Sequence, residues 1–478
     1  MITGSLAIAV LFALLAFFAP IGSTAMTPWL LGLLGLFTCF PMIRWVGKAR
    51  IDFFEIIYPI SFSYCVYFVL TSPGALQDPL NPYVWIASEH INQALLYTAI
   101  GFAAVLLGYY GPLPALISKA LPRLNMTADP PRARWVIYFL YGVGTAFRLY
   151  LLAIGSGTWS VKQEEIDYGT VIQGPLANLV GYFGNCSFFA YVLAAAFFFT
   201  PCKTKTLAVF LWGVMFPLEC LWAFLQASKL QLIPVLIAPA IAYNYLRENA
   251  KIHHLALPAL LFVFGVFPIV TAYREIAAEY PIQLSTLPST LPLIVKDLAE
   301  ETAAPESSTR IQRGPGLVSE RAGGLMLFSN VIYYVHLKGV IHGETLWQFP
   351  LLLVPTIFLP TKYVHLDYGA QFYSEVLGSF STTSGIALMH IGEFYLNFGL
   401  AGVLIGMFLQ GILYRLWQIY WVGLGGPLGI ALFILGWRML ISIEFPIAVA
   451  YGLLMREVFI MVPVLWFITL GRSREGAA

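Results

Sequence analysis

The chain has 478 residues, 59% of them hydrophobic and 10% charged, with a formal net charge of +2 and a mean hydropathy of +0.78. Soluble domains carry roughly 25% charged residues, so water is excluded as the solvent for most of this surface. The small net charge excludes the basic footprint of a nucleic-acid-binding protein. The five cysteines, Cys39, Cys65, Cys186, Cys202 and Cys220, lie in or at the end of apolar runs with no CxxC pair, which indicates neither a disulfide framework nor a thiolate metal site.

Apolar runs of about 18 or more residues, each long enough to cross a bilayer as a helix, recur in chain order near 5–21, 27–43, 52–72, 92–111, 134–154, 175–200, 207–226, 230–246 and 255–272, then near 395–416, 427–448 and 451–470. The expected fold is an all-α polytopic membrane protein. The first run has no basic flank before it and no small-residue cleavage site after it, so it is expected to be a retained span. Basic residues cluster at Arg44, Lys48 and Arg50, at Lys119, Arg123, Arg132 and Arg134, at Lys203 and Lys205, at Arg247 and Lys251, and at Arg472 and Arg474. With these spans every cluster falls on one side, which the positive-inside rule makes cytoplasmic. About twelve spans and cytosolic termini follow.

That places 1–272 in an N-terminal bundle of about nine spans and 391–478 in a C-terminal bundle of about three, with 273–390 between them as a large outer loop. The loop begins with Pro, Ser, Thr and acidic residues. It continues into two short apolar stretches, 323–335 and 346–360; the second holds Pro350, Pro355 and Pro360. These are too short to span and are expected to be interfacial or re-entrant.

Ionisable side chains inside spans are costly and point to function. Here they are Arg148, Glu219, Arg438, Glu444, Arg456 and Glu457, expected to line an outward-facing polar cavity. The alternative is simple neutralisation of Arg438 by Glu219 between helices. The outer loop concentrates Arg310, Arg313 and Arg321 in STRIQRGPGLVSERAGG, with Lys338 and Lys362 after them, a set suited to phosphate oxygens. A solvated loop that meets lipid headgroups has the same composition. His336, His342, His365 and His390 match no metal-binding spacing, and no outer DxD pair or Gly-rich nucleotide loop is present. Any transferase is therefore expected to use a lipid-linked donor without metal or other cofactor. In HIGEFYLNFGLAGVLIGMFLQG, His390 and Glu393 share a helix face at the outer mouth of a span and suit general-base chemistry. Gly399, Gly402, Gly406 and Gly411 permit close helix approach. Interfacial anchoring by Tyr395 and Asn397 is the plainer reading of the same stretch.

Three features over about the last 160 residues resemble the O-antigen polymerase family, which joins oligosaccharide repeat units in bacterial polysaccharide export. They are Arg321 in SERAGGLMLFSNVIYYVH, the proline-punctuated LLLVPTIFLPTK with Lys362 leading to HLDYGAQFY, and GEFYLNFGLAG. The family often has Pro-Arg in the second feature, where this chain has Pro355 followed by Thr356. The resemblance implies transfer of a glycan from its polyprenyl-diphosphate carrier to a hydroxyl of a second lipid-linked unit, at the periplasmic face of the inner membrane. A chain-length regulator and a flippase are the implied partners. Arg321, Arg310, Arg313 and Lys362 would then stabilise the departing diphosphate, with Glu393 and His390 as the base. A ligase with the same donor and a flippase of lipid-linked glycan are the rival readings.

Overall fold

The computed structural model describes residues 26–46, 52–72, 88–124, 126–154, 175–226, 229–249, 269–270, 273, 285–303, 323–354, 358 and 388–470. Every regular element among them is helical. In chain order they are α1 (Thr27–Val46), α2 (Ile57–Leu70), α3 (Ser88–Tyr110), α4 (Leu113–Ala120), α5 (Pro130–Ala153), α6 (Pro175–Gly184), α7 (Cys186–Phe198), α8 (Lys205–Leu225), α9 (Lys229–Leu246), α10 (Leu287–Ala303), α11 (Gly324–Lys338), α12 (Phe349–Leu353), α13 (Met389–Leu424), α14 (Gly426–Leu440) and α15 (Ile447–Thr469). Among the described residues, six segments are long and apolar enough to cross a membrane: Glu89–Tyr110, Pro130–Ala153, Val180–Phe198, Lys205–Leu225, Met389–Leu424 and Ile447–Thr469. The chain is an α-helical membrane protein. The expected span at 5–21 and most of that at 255–272 lie outside the described residues.

Several expected spans are interrupted for local reasons. The one at 175–200 is two helices meeting at Asn185. Helix α8 contains a π-helical turn, Leu211–Met215, just ahead of Pro217. Proline has no N–H to close the regular ladder, and the extra residue rotates the remainder of the helix by about 100°. The span expected at 427–448 ends at Leu440, because Pro446 disfavours helix at Phe445 and starts a new helix at Ile447. Glu444 therefore sits in a turn between α14 and α15, not inside a span.

Among the described residues, several of the loops that carry basic residues collect at one end of the bundle. Asp52, after α1, accepts hydrogen bonds from Tyr245 (2.6 Å) and Asn244 (3.1 Å) at the end of α9. Glu55 accepts from Tyr109 (2.9 Å) and pairs with Arg415 (2.8 Å). Tyr420 bonds the Pro122 carbonyl and Asp129 N–H bonds Ile468 O. Lys119, Arg123, Arg132, Arg134, Lys203, Lys205 and Arg247 lie on these segments, at what we call the Tyr110 end. The opposite end begins at His90, whose ring meets Tyr333 and His336 of α11 edge-on.

The element that organises the C-terminal half is α13, which is bent back on itself. Gly399 has φ 62° and ψ −149°, a region essentially confined to glycine, and it reverses the chain into a short arm, 389–398, and a long arm, 400–424. His390 and Gln410 would be about 30 Å apart on a straight helix, yet their side chains hydrogen-bond at 2.9 Å. A Cβ on Gly402 would clash with the Phe394 carbonyl, and one on Gly406 with the Phe394 ring. These two glycines seat the short arm against the long one. On its other side the long arm lies along α3, where Gly411 faces the Val105 carbonyl and Gly108 the Phe408 carbonyl.

Because helix hydrogen bonds cease at the bend, the carbonyls of Leu396 and Asn397 are released. They accept instead from Ile341 and His342 N–H, each at 3.0 Å. The segment 339–345 is thereby fastened to the tip of the hairpin. The short arm runs inward to the level of Gly101, where Ile391 packs. Gly101 lies about 20 Å along α3 from its start and about 14 Å from its end, so His390 and Ile391 lie near mid-depth. Helix α11 descends beside the short arm: its first residue, Gly324, packs on Met389, while Val331 packs on Gly392.

Candidate active site

Four ionisable side chains from four helices converge on one cavity of about 250 Å³. Arg148 of α5 and Glu219 of α8 form a two-pronged pair at 2.6 and 3.1 Å, and Arg438 of α14 is bonded to Glu457 of α15. Local packing puts each in place. The π turn and Pro217 aim Glu219 at α5. Gly144 lets α5 close onto the Ser187 backbone of α7, and Gly184 leaves room for the Arg148 stem. Both guanidinium groups also sit over aromatic rings, Arg148 at 5.1 Å from the Trp222 centroid and Arg438 at 4.4 Å from that of Phe188. Such contacts favour cations that have left water.

The bonding leaves hydrogen-bonding capacity unused. Arg148 Nε, Arg438 Nε and Glu457 Oε2 are buried without a protein partner, and Asn185, Gln231 and Ser442 add neutral polar atoms to the wall. Counted along their helices from the Tyr110 end, the four charged residues stand about 18–27 Å up, beyond the middle of a hydrocarbon core of about 30 Å. The arrangement brings two guanidinium groups, each paired with a carboxylate, to the wall of one cavity.

The expected cavity residues are thus brought together only in part. Arg148, Glu219 and Arg438 line it. Arg438 pairs with Glu457 and Glu219 pairs with Arg148, so the expected neutralisation of Arg438 by Glu219 is replaced by two separate pairs. Glu444 is not on the wall, although its neighbours Ser442 and Phe445 are. Arg456 is not on the wall either; its backbone carbonyl accepts from Tyr182 at 2.5 Å.

The Gly399 reversal folds His390 and Glu393 back against the long arm of α13 and the turn that leads into α15. Glu393 is 0% exposed, and its carboxylate accepts the Ile447 N–H at the first turn of α15. A negative charge there satisfies an orphan donor and complements the helix dipole. His390 is 1% exposed, bonds Gln410, and donates its own N–H to Ile443 O at 3.2 Å. The Glu393 side chain and the His390 backbone N–H therefore grip the 441–447 turn, which forms one edge of the charged cavity. Asn397 is equally buried, bonding Thr345 at 2.6 Å, so its expected interfacial role is not what the structure shows. Arg310, Arg313, Arg321 and Lys362 lie outside the described residues.

Sequence reasoning missed the Glu55–Arg415 pair with its Tyr109 and Gln418 surroundings, as well as the Gln410–Tyr414 bond of 2.7 Å that anchors His390. A signal was available. Glu55 and Arg415 both fall in expected spans and carry opposite charges, while Gln410 and Tyr414 are spaced to share one helix face. Comparisons of the chain with protein families, with curated proteins and with solved structures return no match.

Proposed function

We propose that this protein polymerises polyprenyl-diphosphate-linked oligosaccharide repeat units into O-antigen, capsule or exopolysaccharide at the periplasmic face of the bacterial inner membrane. In this reading about twelve spans leave both termini cytosolic. The observation that carries it is the pair of buried guanidinium groups, Arg148 and Arg438, that line one cavity beyond mid-depth, each with its Nε unpartnered. Buried charge of this kind is costly in a bilayer, and a diphosphate gives it a use. The gathering of basic loops at the Tyr110 end supports a cytosolic assignment for that end. The cavity then lies nearer the periplasm.

The chemistry assigned to the site is glycosyl transfer. The acceptor hydroxyl oxygen bonds to the anomeric carbon of the donor as the bond from that carbon to the diphosphate oxygen breaks. The lipid diphosphate leaves with the electron pair. Arg148 and Arg438 stabilise the charge that develops on it, and Glu457, through Oε2, takes the hydroxyl proton. Glu393 and His390 act one step back, as positioning residues: Glu393 holds the first turn of α15 and so sets where Glu457 stands, and the His390 backbone holds Ile443 in the turn before it. Arg310, Arg313, Arg321 and Lys362 are proposed as further diphosphate contacts.

The purified chain in lipid nanodiscs, given polyprenyl-diphosphate-linked repeat units alone, is expected to produce a ladder of longer lipid-linked glycans with release of polyprenyl diphosphate. Transfer only to a different acceptor would make the chain a ligase. Movement of the lipid-linked unit across a bilayer without extension would make it a flippase.

A further inference from the structure

A second concavity, of about 590 Å³, lies at the tip of the α13 hairpin, with His342, Glu344, Leu346, Trp347 and Phe398 among its lining residues. Trp347 is 80% exposed and Phe398 45%. Their environment differs from that of the tryptophans on the outer faces of membrane helices. Trp135, for example, stacks on Phe139 and lies near Phe467, as a lipid-facing aromatic does. Trp347 instead shares its concavity with an exposed carboxylate, Glu344, and an exposed imidazole, His342.

The backbone beneath is rigid. Ile341 and His342 N–H are bonded to the carbonyls freed at the bend, Trp347 N–H bonds Gly343 O at 2.9 Å, and Thr345 is tied to Asn397. His342 is held at φ 51°, a strained conformation for a residue with a side chain, and strain of this kind collects at binding sites. An aromatic face held open beside fixed hydrogen-bonding groups suits a ligand with one apolar side and a polar edge. A pyranose ring fits this description: its C–H face packs flat on an indole, and its hydroxyls bond a carboxylate and an imidazole.

We propose that this concavity is a glycan-binding site, seating a sugar ring of the substrate on Trp347 with Phe398 beside it and Glu344 and His342 bonding its hydroxyls. The inference rests on the reading that the substrate is a glycan, and it assigns to the hairpin tip the task of holding the sugar chain while the buried cavity holds the diphosphate. The hairpin joins the two, since its short arm ends on the turn that edges the charged cavity.

The test uses the full chain in lipid nanodiscs. The probe is a set of oligosaccharides released by mild acid from the surface polysaccharide of the cell that makes this protein, with maltohexaose as the unrelated control. Saturation-transfer NMR is expected to show contact at sugar ring protons. Trp347→Ala should weaken binding about tenfold, the loss of one stacking contact, and Trp347→Phe should retain most of it. Wild-type affinity in Trp347→Ala, or no binding of these oligosaccharides to the wild type, overturns the site. A deletion strain separates this outcome from the fate of the polymerase reading. If full-length polymer persists without the protein while Trp347→Ala loses binding, the glycan site stands and the polymerase reading falls. If deletion leaves single repeat units but Trp347→Ala binds and polymerises normally, the site falls and the polymerase reading stands.

Discussion

Losing one member of the Arg148–Glu219 pair strands a charge among apolar helices, whereas losing both does not. Arg148→Met or Glu219→Leu alone should lower stability by about 3–5 kcal/mol, and the double variant should recover most of that loss, as read by thermal unfolding of the purified protein. Glu393 allows a second discrimination. Glu393→Ala removes the acceptor for the Ile447 N–H and should cost about 1–3 kcal/mol. Glu393→Gln keeps an acceptor oxygen and should both fold and polymerise. A folded but inactive Glu393→Gln protein, judged by the length of the polysaccharide it supports, would make Glu393 the base itself. From sequence, Glu393 and His390 were legible as unusual residues before a small-residue span. Their task was not, because the partner N–H of Ile447 lies 54 residues away and belongs to a turn that hydropathy hides.

At the level of elements, the glycine stripe of α13 was legible as a packing surface, but not as a hairpin. Glycine is common within membrane helices, and nothing local distinguishes Gly399, which turns the chain, from Gly402 and Gly406, which receive the returning arm. The break after Leu440 was hidden for a similar reason: ISIEFPIAVA is apolar enough to pass as helix, and irregular backbone at depth is tolerated where protein covers it. The hairpin has a direct test. Phe394→Cys with Gly406→Cys should cross-link readily with a short bifunctional reagent, since the wild-type positions touch. On an unbent helix they would be about 18 Å apart and would stay unlinked.

Over the whole molecule, the sequence carried the helical architecture well, because it follows from composition that the bilayer imposes on every span, and it carried the grouping of the basic loops only for those among the described residues. The grouping is corroborated by contacts the sequence does not display, such as Asp52 with Tyr245 and Asp129 with Ile468. Orientation remains to be measured with a membrane-impermeant maleimide. Exposed Cys202 at the Tyr110 end should react only after permeabilisation, and a cysteine placed at His342 should react in intact spheroplasts. The reverse pattern would put the hairpin tip in the cytosol and remove its access to flipped, lipid-linked glycans.

The charged cavity is where residue, element and molecule meet, and its role is tested most directly in a cell that lacks the wild-type protein. Complementation with the wild type should restore a ladder of long polysaccharide on a gel. Complementation with Arg438→Gln or Glu457→Gln, at matched protein levels, should leave single repeat units. Full-length polymer from both variants would contradict the assignment of this cavity as the site of transfer.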